Sequence, residues 1–304
     1  MATGILLPIV QCQIGRTPIT CAIGTMKITR STATTAITTP DYWDEAWKYK
    51  NVPDAIDPCN DAPENHYYQV MHAIFVRALG ASCSPGARLI EIGCGGSRWL
   101  PYFHRTFGYA VSGIDYSAEG TRLSRLILDK TGIQGRIIQS DLFEPPLDLV
   151  EQFEVVVSFG LVEHFENTAQ AVFACAHYLR PGGQMITLVP TMRGLYGAAY
   201  RILRPDVYRK HIPQSQSMLA KAHSDAGLSI THSCYVLGLP GVVDVASMTG
   251  VPGRIARAVS SLYWRLERSG FGVPPNRFTS PYALCIATKP LRPASMNEHA
   301  VKIS

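Results

Sequence analysis

The sequence predicts an α/β fold: an open, mostly parallel sheet with helices packed on both of its faces. Two observations predict it. Between residues 88 and 190, short runs of apolar residues alternate with segments of helical periodicity, and that alternation is the pattern of βαβ units. One of the runs carries three consecutive valines, Val155–Val157, as expected of a strand covered on both faces rather than wetted on one.

In chain order, an aromatic segment (Tyr42, Trp43, Trp47, Tyr49) leads to 67–79, where Val70, Met71, Ile74, Phe75 and Leu79 recur at helical spacing. Residues 88–92 form the first strand and run into Gly93-Cys94-Gly95-Gly96. A helix over 100–107, a strand over 109–114 closed by Asp115, a helix over 118–131 and a strand over 135–139 closed by Ser140-Asp141 follow. The fourth strand is 153–158. A helix over 168–179 stops at Pro181-Gly182-Gly183, and 184–189 is the fifth strand. Beyond residue 190 a helix over 217–226, strands over 228–237 and 282–289 and a helix over 254–268 complete the pattern, making seven strands. The stretch 238–281 is too long for an ordinary loop. The expected organisation is an N-terminal extension over 1–40, then a single domain over 41–304 with insertions at 191–216 and 238–281.

Composition excludes other classes. A chain of 304 residues that is 46% hydrophobic and 17% charged is neither disordered nor a coiled coil. The formal charge of +5 permits an anionic partner without requiring one. Eight cysteines contain no Cys-x-x-Cys pair, the usage of reduced cytoplasmic thiols. No apolar run reaches the length that spans a bilayer. The first 40 residues hold ten threonines, three basic residues and no acid. Such a segment reads as an unstructured extension, or as chain preceding a true start at Met26; an organellar targeting segment is the other reading.

The strongest local signal is Glu91-Ile-Gly93-Cys94-Gly95-Gly96-Ser97, a glycine turn leaving a strand and entering a helix. Such a turn lets backbone approach a ligand, and the helix offers unpaired N–H groups. A dinucleotide fingerprint needs a third glycine at the position of Arg98, and a P-loop needs Gly-Lys-Ser/Thr; the chain has neither. Asp115 and Asp141 end the next two strands, so three successive strand ends define one crevice. A ribose would meet Asp115 and a base amine Asp141. Each acid alone would also serve as a helix N-cap.

Taken in order, Glu91-x-Gly-x-Gly, Gly113-Ile-Asp115, Ser140-Asp141-Leu142 and Pro181-Gly-Gly resemble the class I S-adenosylmethionine-dependent methyltransferases, over about residues 88–190. The resemblance implies a Rossmann-like fold and S-adenosyl-L-methionine as cofactor. It implies that Glu91 and the backbone of Gly93, Cys94 and Gly95 hold the methionine end and that Asp115 takes the ribose hydroxyls. Tyr116, Asp141 and Leu142 would meet the adenine, and Ser158 and Phe159 would floor the site. Ser97 stands where the family often has glycine. A non-catalytic binding or assembly protein that retains the fold is the alternative function.

Methyl transfer from a sulfonium is an in-line displacement that alignment does much to accelerate. If the acceptor must lose a proton, His164 is the candidate base and Glu163 the group that orients it; a packing role for His164 competes with this. Some quinone-pathway O-methyltransferases carry a further carboxylate three residues before the Glu-His pair and bind a metal. Gly160 stands there in this chain, so no metal is expected. The acceptor is expected to be small or lipid-like, and anionic on the strength of Arg and Lys residues in 191–211 and 254–268. Residues 254–268 place Ile255, Val259, Leu262 and Leu266 on one stripe, which packs on the core or rests on a membrane. No nucleic-acid reader motif accompanies these arginines.

Overall fold

Seven strands join in one sheet in the order β3-β2-β1-β4-β5-β7-β6. In this computed structural model the described residues are 35–62, 65–80, 84, 86–239 and 250–291. The expected tail and its start-site and targeting readings fall on residues 1–34, outside the described residues, as does 240–249 of the second insertion.

The strands are β1 (Arg88–Ile92), β2 (Ala110–Asp115), β3 (Gly135–Gln139), β4 (Phe153–Phe159), β5 (Leu179–Pro190), β6 (Ser229–Val236) and β7 (Tyr282–Thr288). Strands β1 to β5 pair in parallel, and β7 lies antiparallel between β5 and β6. Because side chains alternate along a strand, neighbours in sequence feed opposite faces. Leu89, Val155 and Val157 join one buried cluster with α2 (His66–Leu79) and α3 (Trp99–Phe107). Ile90, Ile92 and Val156 join the other, with α5 (Thr168–Ala176) and α8 (Gln216–Asp225).

Helix boundaries have local causes. Helix α3 ends on Gly108 at φ 75°, and α4 (Ala118–Thr131) ends on Gly132 at φ 68°, backbone that favours glycine. Ser117 caps α4, its Oγ accepting the Gly120 N–H at 2.9 Å. The helix expected over 168–179 stops at Ala176, and Leu179 opens β5 opposite Phe153. The Tyr178 carbonyl accepts the N–H groups of Gln152 and Phe153, so strand pairing takes the backbone that propensity assigned to helix.

Two more departures bear on the site. The expected boundary at residue 40 lies inside built structure: Ala36 bridges to Phe165, and Thr38 is buried and accepts the Trp43 indole N–H at 3.0 Å. They lead into α1 (Pro40–Trp47), which packs against α4. The first insertion carries α6 (Gly194–Leu203) and α7 (Pro205–Tyr208). The second carries α9 (Gly250–Arg268), whose apolar stripe does not pack on the core. Val259, Leu262 and Leu266 are exposed, whereas Tyr263 is buried and its hydroxyl accepts the Leu239 N–H at 2.7 Å. The helix is held by a polar face (Tyr263, Glu267, and Arg268 on Asp61), with Glu267 beside His66.

Candidate active site

Each of the first three strands delivers its carboxyl end to one cavity of about 630 Å³, within the usual size of small-molecule sites, about 300–1,000 Å³. Of the residues expected at a cofactor, Glu91, Gly93, Gly95, Asp115, Tyr116, Asp141, Leu142 and Phe159 line it. Cys94 and Ser158 do not. The Cys94 side chain is buried under the turn against Gly113, and Ser158 is fully buried inside β4. For Ser158 the side-chain direction, which alternates along extended backbone, opposes the expectation; for Cys94 the expectation concerns its backbone, which the buried side chain leaves in the turn.

The glycine turn and the acids are tied together. Gly95 N–H donates to Asp115 Oδ2 at 2.8 Å, while Asp115 Oδ1 accepts the Ser117 N–H at 2.8 Å. A Cβ on Gly95 would lie 2.7 Å from the Trp47 indole nitrogen and 3.1 Å from Asp115 Oδ2, so only glycine fits between the α1 aromatic and the acid. Asp115 therefore braces the turn; the cap of α4 is Ser117. Asp141 likewise accepts the Phe143 N–H at 2.9 Å within its own turn and caps no helix.

Ser97, the departure from the family pattern, has a defined place. Its hydroxyl donates to Glu91 Oε2 and accepts the N–H groups of Trp99 and Leu100 at 3.1 and 3.2 Å. One side chain thus caps α3 and holds the buried acid. Burial pushes the Glu91 carboxyl up to about 8, against the lowering effect of that hydrogen bond. Asp115 is raised to about 6, again chiefly by burial, with two backbone N–H bonds opposing. Two carboxyls held above their ordinary range, with no cation paired to either among the described residues, would each ionise more readily beside a ligand that brings positive charge or hydrogen-bond donors.

Aromatic side chains form most of the remaining wall: Trp43, Trp47, Tyr67, Tyr68, Trp99, Phe143, Phe159 and Phe165. Trp43 and Trp47 come from α1, whose Asp44 accepts the Ser117 Oγ–H at 2.6 Å and the Glu119 N–H at 3.0 Å. Among the described residues the one cation in the wall is Arg98, whose guanidinium is committed to the Asp54 carbonyl and the Tyr68 hydroxyl at 2.8 and 2.6 Å. Acidic and aromatic side chains share the wall, with Trp47 and Asp115 both against Gly95.

Neither Glu163 nor His164 lines this cavity; both are buried behind it, with the Trp43 ring edge-on to His164 at 5.2 Å. Burial and the neighbouring His211 push the His164 imidazole down to about 3, although backbone carbonyls of Lys210 and Gly160 favour its proton. A base of ordinary histidine strength was expected, and burial removes that property. Glu163 does not orient the ring by a hydrogen bond, because its Oε1 lies 3.9 Å from Nε2; the Lys210 carbonyl accepts from Nδ1 at 2.6 Å instead. His211, which sequence reasoning left among the basic residues of the insertion, stacks near His164 with ring centroids 4.5 Å apart.

The cavity fits S-adenosylmethionine in its chemistry: acids for a cation, a glycine cradle, and strand-end acids spaced across the crevice. Comparisons with known proteins agree. A family model described as a methyltransferase domain matches residues 63–233. A ubiquinone biosynthesis O-methyltransferase of Klebsiella pneumoniae is 32% identical over 100 residues, which span 33% of this chain and 41% of that relative. The geranyl diphosphate C-methyltransferase of Streptomyces coelicolor, solved with S-adenosyl-L-homocysteine, superposes with a TM-score of 0.54 at 12% identity over 85% of this chain and 100% of that one. A phosphoethanolamine N-methyltransferase of Haemonchus contortus gives 0.53 at 14% identity over 82% of this chain and 56% of that one. With the family model covering more than half its length, the chain belongs to the class I S-adenosylmethionine-dependent methyltransferases.

Proposed function

We propose that this enzyme methylates a small, largely apolar or lipid-like acceptor, using S-adenosyl-L-methionine held across the ends of β1, β2 and β3. The observation that carries the reading is one cavity whose wall joins strand-end acids to a largely aromatic surface. When bound, the cofactor supplies an electrophilic methyl group on a sulfonium. Glu91 and the Gly93–Gly95 backbone hold its methionine end, with Ser97 fixing the Glu91 carboxylate. Asp115 accepts the ribose hydroxyls with the lone pairs left free by its two backbone bonds. Tyr116, Asp141 and Leu142 flank the base, and Phe159 floors the cavity.

Trp43, Trp47, Tyr67, Tyr68 and Trp99 exclude water from the reacting end and present flat apolar surface to the acceptor. Alignment of acceptor and methyl by these walls supplies much of the acceleration. His164 acts in packing and positioning rather than as a neutral-pH base.

The relatives methylate, by their names, an intermediate of ubiquinone biosynthesis and geranyl diphosphate, and acceptors of that kind suit an aromatic wall. Exposed Arg193, Arg201 and Arg209 on and beside α6 and α7 favour an acceptor with an anionic group left at the surface. The outward apolar stripe of α9, with exposed Arg254 and Arg265, supports contact with a membrane that carries the acceptor. Among the described residues no helix is long and apolar enough to cross a membrane.

Calorimetric titration with S-adenosylmethionine and S-adenosylhomocysteine, then transfer of labelled methyl to extracted lipids and quinone precursors, tests the reading. Binding of both ligands and label in an organic-soluble product are expected. Absence of binding overturns the cofactor site; binding without transfer to any extract component points to a non-catalytic role.

A further inference from the structure

The geometry points to a second, unassigned site: Glu163, His164 and His211 form a binding site for a divalent transition metal of the zinc or cobalt type. Three features carry this. Both carboxylate oxygens of Glu163 are fully buried and accept no hydrogen bond, and leaving a buried acceptor unpaired costs about 1–3 kcal/mol, more for a charge.

Each imidazole, in turn, is anchored through the same nitrogen. Nδ1 of His164 donates to the Lys210 carbonyl at 2.6 Å, and Nδ1 of His211 donates to the Val207 carbonyl at 2.8 Å. A carbonyl can only accept, so with the proton on Nδ1 each neutral ring keeps its Nε2 lone pair; at His164 the Gly160 carbonyl is a second acceptor near the ring. Backbone carbonyls orienting metal-binding histidines in this way are a common second layer of metal sites.

Finally, one ligand atom from each of the three residues lies within 4.8 Å of the others. The Glu163 Oε1–His164 Nε2 gap of 3.9 Å is too long for a hydrogen bond. Two ligands on one tetrahedral zinc ion, each at about 2.0–2.2 Å, stand about 3.3–3.6 Å apart, so this pair would close by a few tenths of an ångström on the ion.

Three acceptors that converge without a donor ask for a cation. Two nitrogens and one carboxylate oxygen suit zinc, cobalt or iron(II) better than magnesium or calcium. The Glu-His pair lacked a third ligand in its own segment because position 160 is glycine. His211 supplies it from the far side of α7, where Ile212 N–H bonds the Glu163 carbonyl at 2.7 Å and holds the two segments in register. The site lies behind Trp43, at the wall of the cavity formed by Gly160 and Leu161. An ion there is placed to polarise an acceptor oxygen, or to stiffen that wall. The ion-binding claim is independent of the methyl-transfer reading; only this last role rests on it.

The full chain, stripped with chelator and freed of it by gel filtration, is titrated with Co²⁺ and followed by visible absorption, with bound metal counted by elemental analysis. One equivalent per chain with ligand-field bands is expected. Glu163→Gln and His211→Asn should each weaken uptake at least about tenfold. His211→Asn is the folding control: its side chain does not line the cofactor cavity, so S-adenosylhomocysteine affinity and the metal-free melting temperature should stay at wild-type values. Less than a tenth of an equivalent in wild type, or wild-type uptake by His211→Asn, overturns the site. Cobalt uptake by a chain that binds no S-adenosylhomocysteine would sink the cofactor reading and leave this one intact.

Discussion

Glu91 should release a proton when the cofactor binds. Its carboxyl is buried, 3% exposed, and pushed up to about 8, so at pH 7 it is about nine-tenths protonated in the free protein. An ammonium group beside it stabilises the carboxylate, and ionisation then expels about 0.9 proton per site. The ionised fraction rises from about 0.09 at pH 7 to about 0.9 at pH 9, while the cofactor's ammonium, an α-amine of pKa about 8, is lost over the same range, so affinity should peak near pH 8. The same shift opposes folding. An acid whose folded pKa lies above its unfolded 4.5 costs stability as pH climbs from 4.5 to about 8, by up to about 3 kcal/mol at pH 7. Glu91→Gln keeps the shape and removes both effects. Calorimetry at pH 7 in buffers of different ionisation enthalpy reads the proton directly. Wild type minus variant isolates Glu91 from the cofactor's own amine. The variant should lose the release, bind at least about tenfold more weakly, and melt higher at pH 7 without ligand. Equal proton release by both proteins would refute the argument.

Asp115→Asn should weaken cofactor binding by one to two orders of magnitude, the loss of a charged acceptor for hydroxyls being worth about 1.5–3 kcal/mol. Asn turns an NH2 toward one of the two backbone N–H groups that Asp115 accepts, so the variant should melt no higher than wild type at pH 7 even though it removes a buried acid raised to about 6. Asp44→Ala removes the acceptor shared by Ser117 Oγ and the Glu119 N–H. It should cost about 1–2 kcal/mol in denaturant unfolding, and looser cofactor binding should accompany it because Trp47 rides on the same helix. Leu262→Ser with Leu266→Ser should abolish co-sedimentation with phosphatidylglycerol vesicles while leaving the melting temperature within 1–2 °C, since both side chains are already exposed. Unchanged sedimentation would show that α9 does not face a bilayer.

The sheet was legible because its signal is local. Consecutive valines, glycine breaks and strand-end acids each declare themselves within a few residues, and parallel βα alternation orders them. The acids were legible for the same reason: a residue at the carboxyl end of a parallel strand has few places to be other than the crevice. Side-chain direction within the site was less so. Ser158 sits one residue from Phe159, which lines the cavity, and a one-residue step along a strand reverses the face. Ser97 read as a departure from the family pattern, yet its hydroxyl joins Glu91 to the start of α3, a bond between residues six apart that a glycine could not make.

What the sequence could not disclose depends on distant packing. His164 was assigned an ordinary pKa because nothing adjacent to it in the chain signals burial; its environment is made by Trp43, Lys210 and His211, 121 residues upstream and 46 and 47 downstream. For α9, periodicity locates an apolar stripe but not the direction in which it points. The direction follows from hydrogen bonds that need a fixed partner. Tyr263 and Glu267 find theirs at Leu239, Gly238 and His66, and once they turn inward, Leu262 and Leu266 must turn away. An apolar stripe left outside gains nothing from water. That exposure, with arginines beside it, is the observation behind the proposed membrane contact. The same logic runs through the site itself: Glu91, Asp115 and Glu163 are each costly to bury alone, and the proposed ammonium, ribose hydroxyls and metal ion would each offset one of those costs.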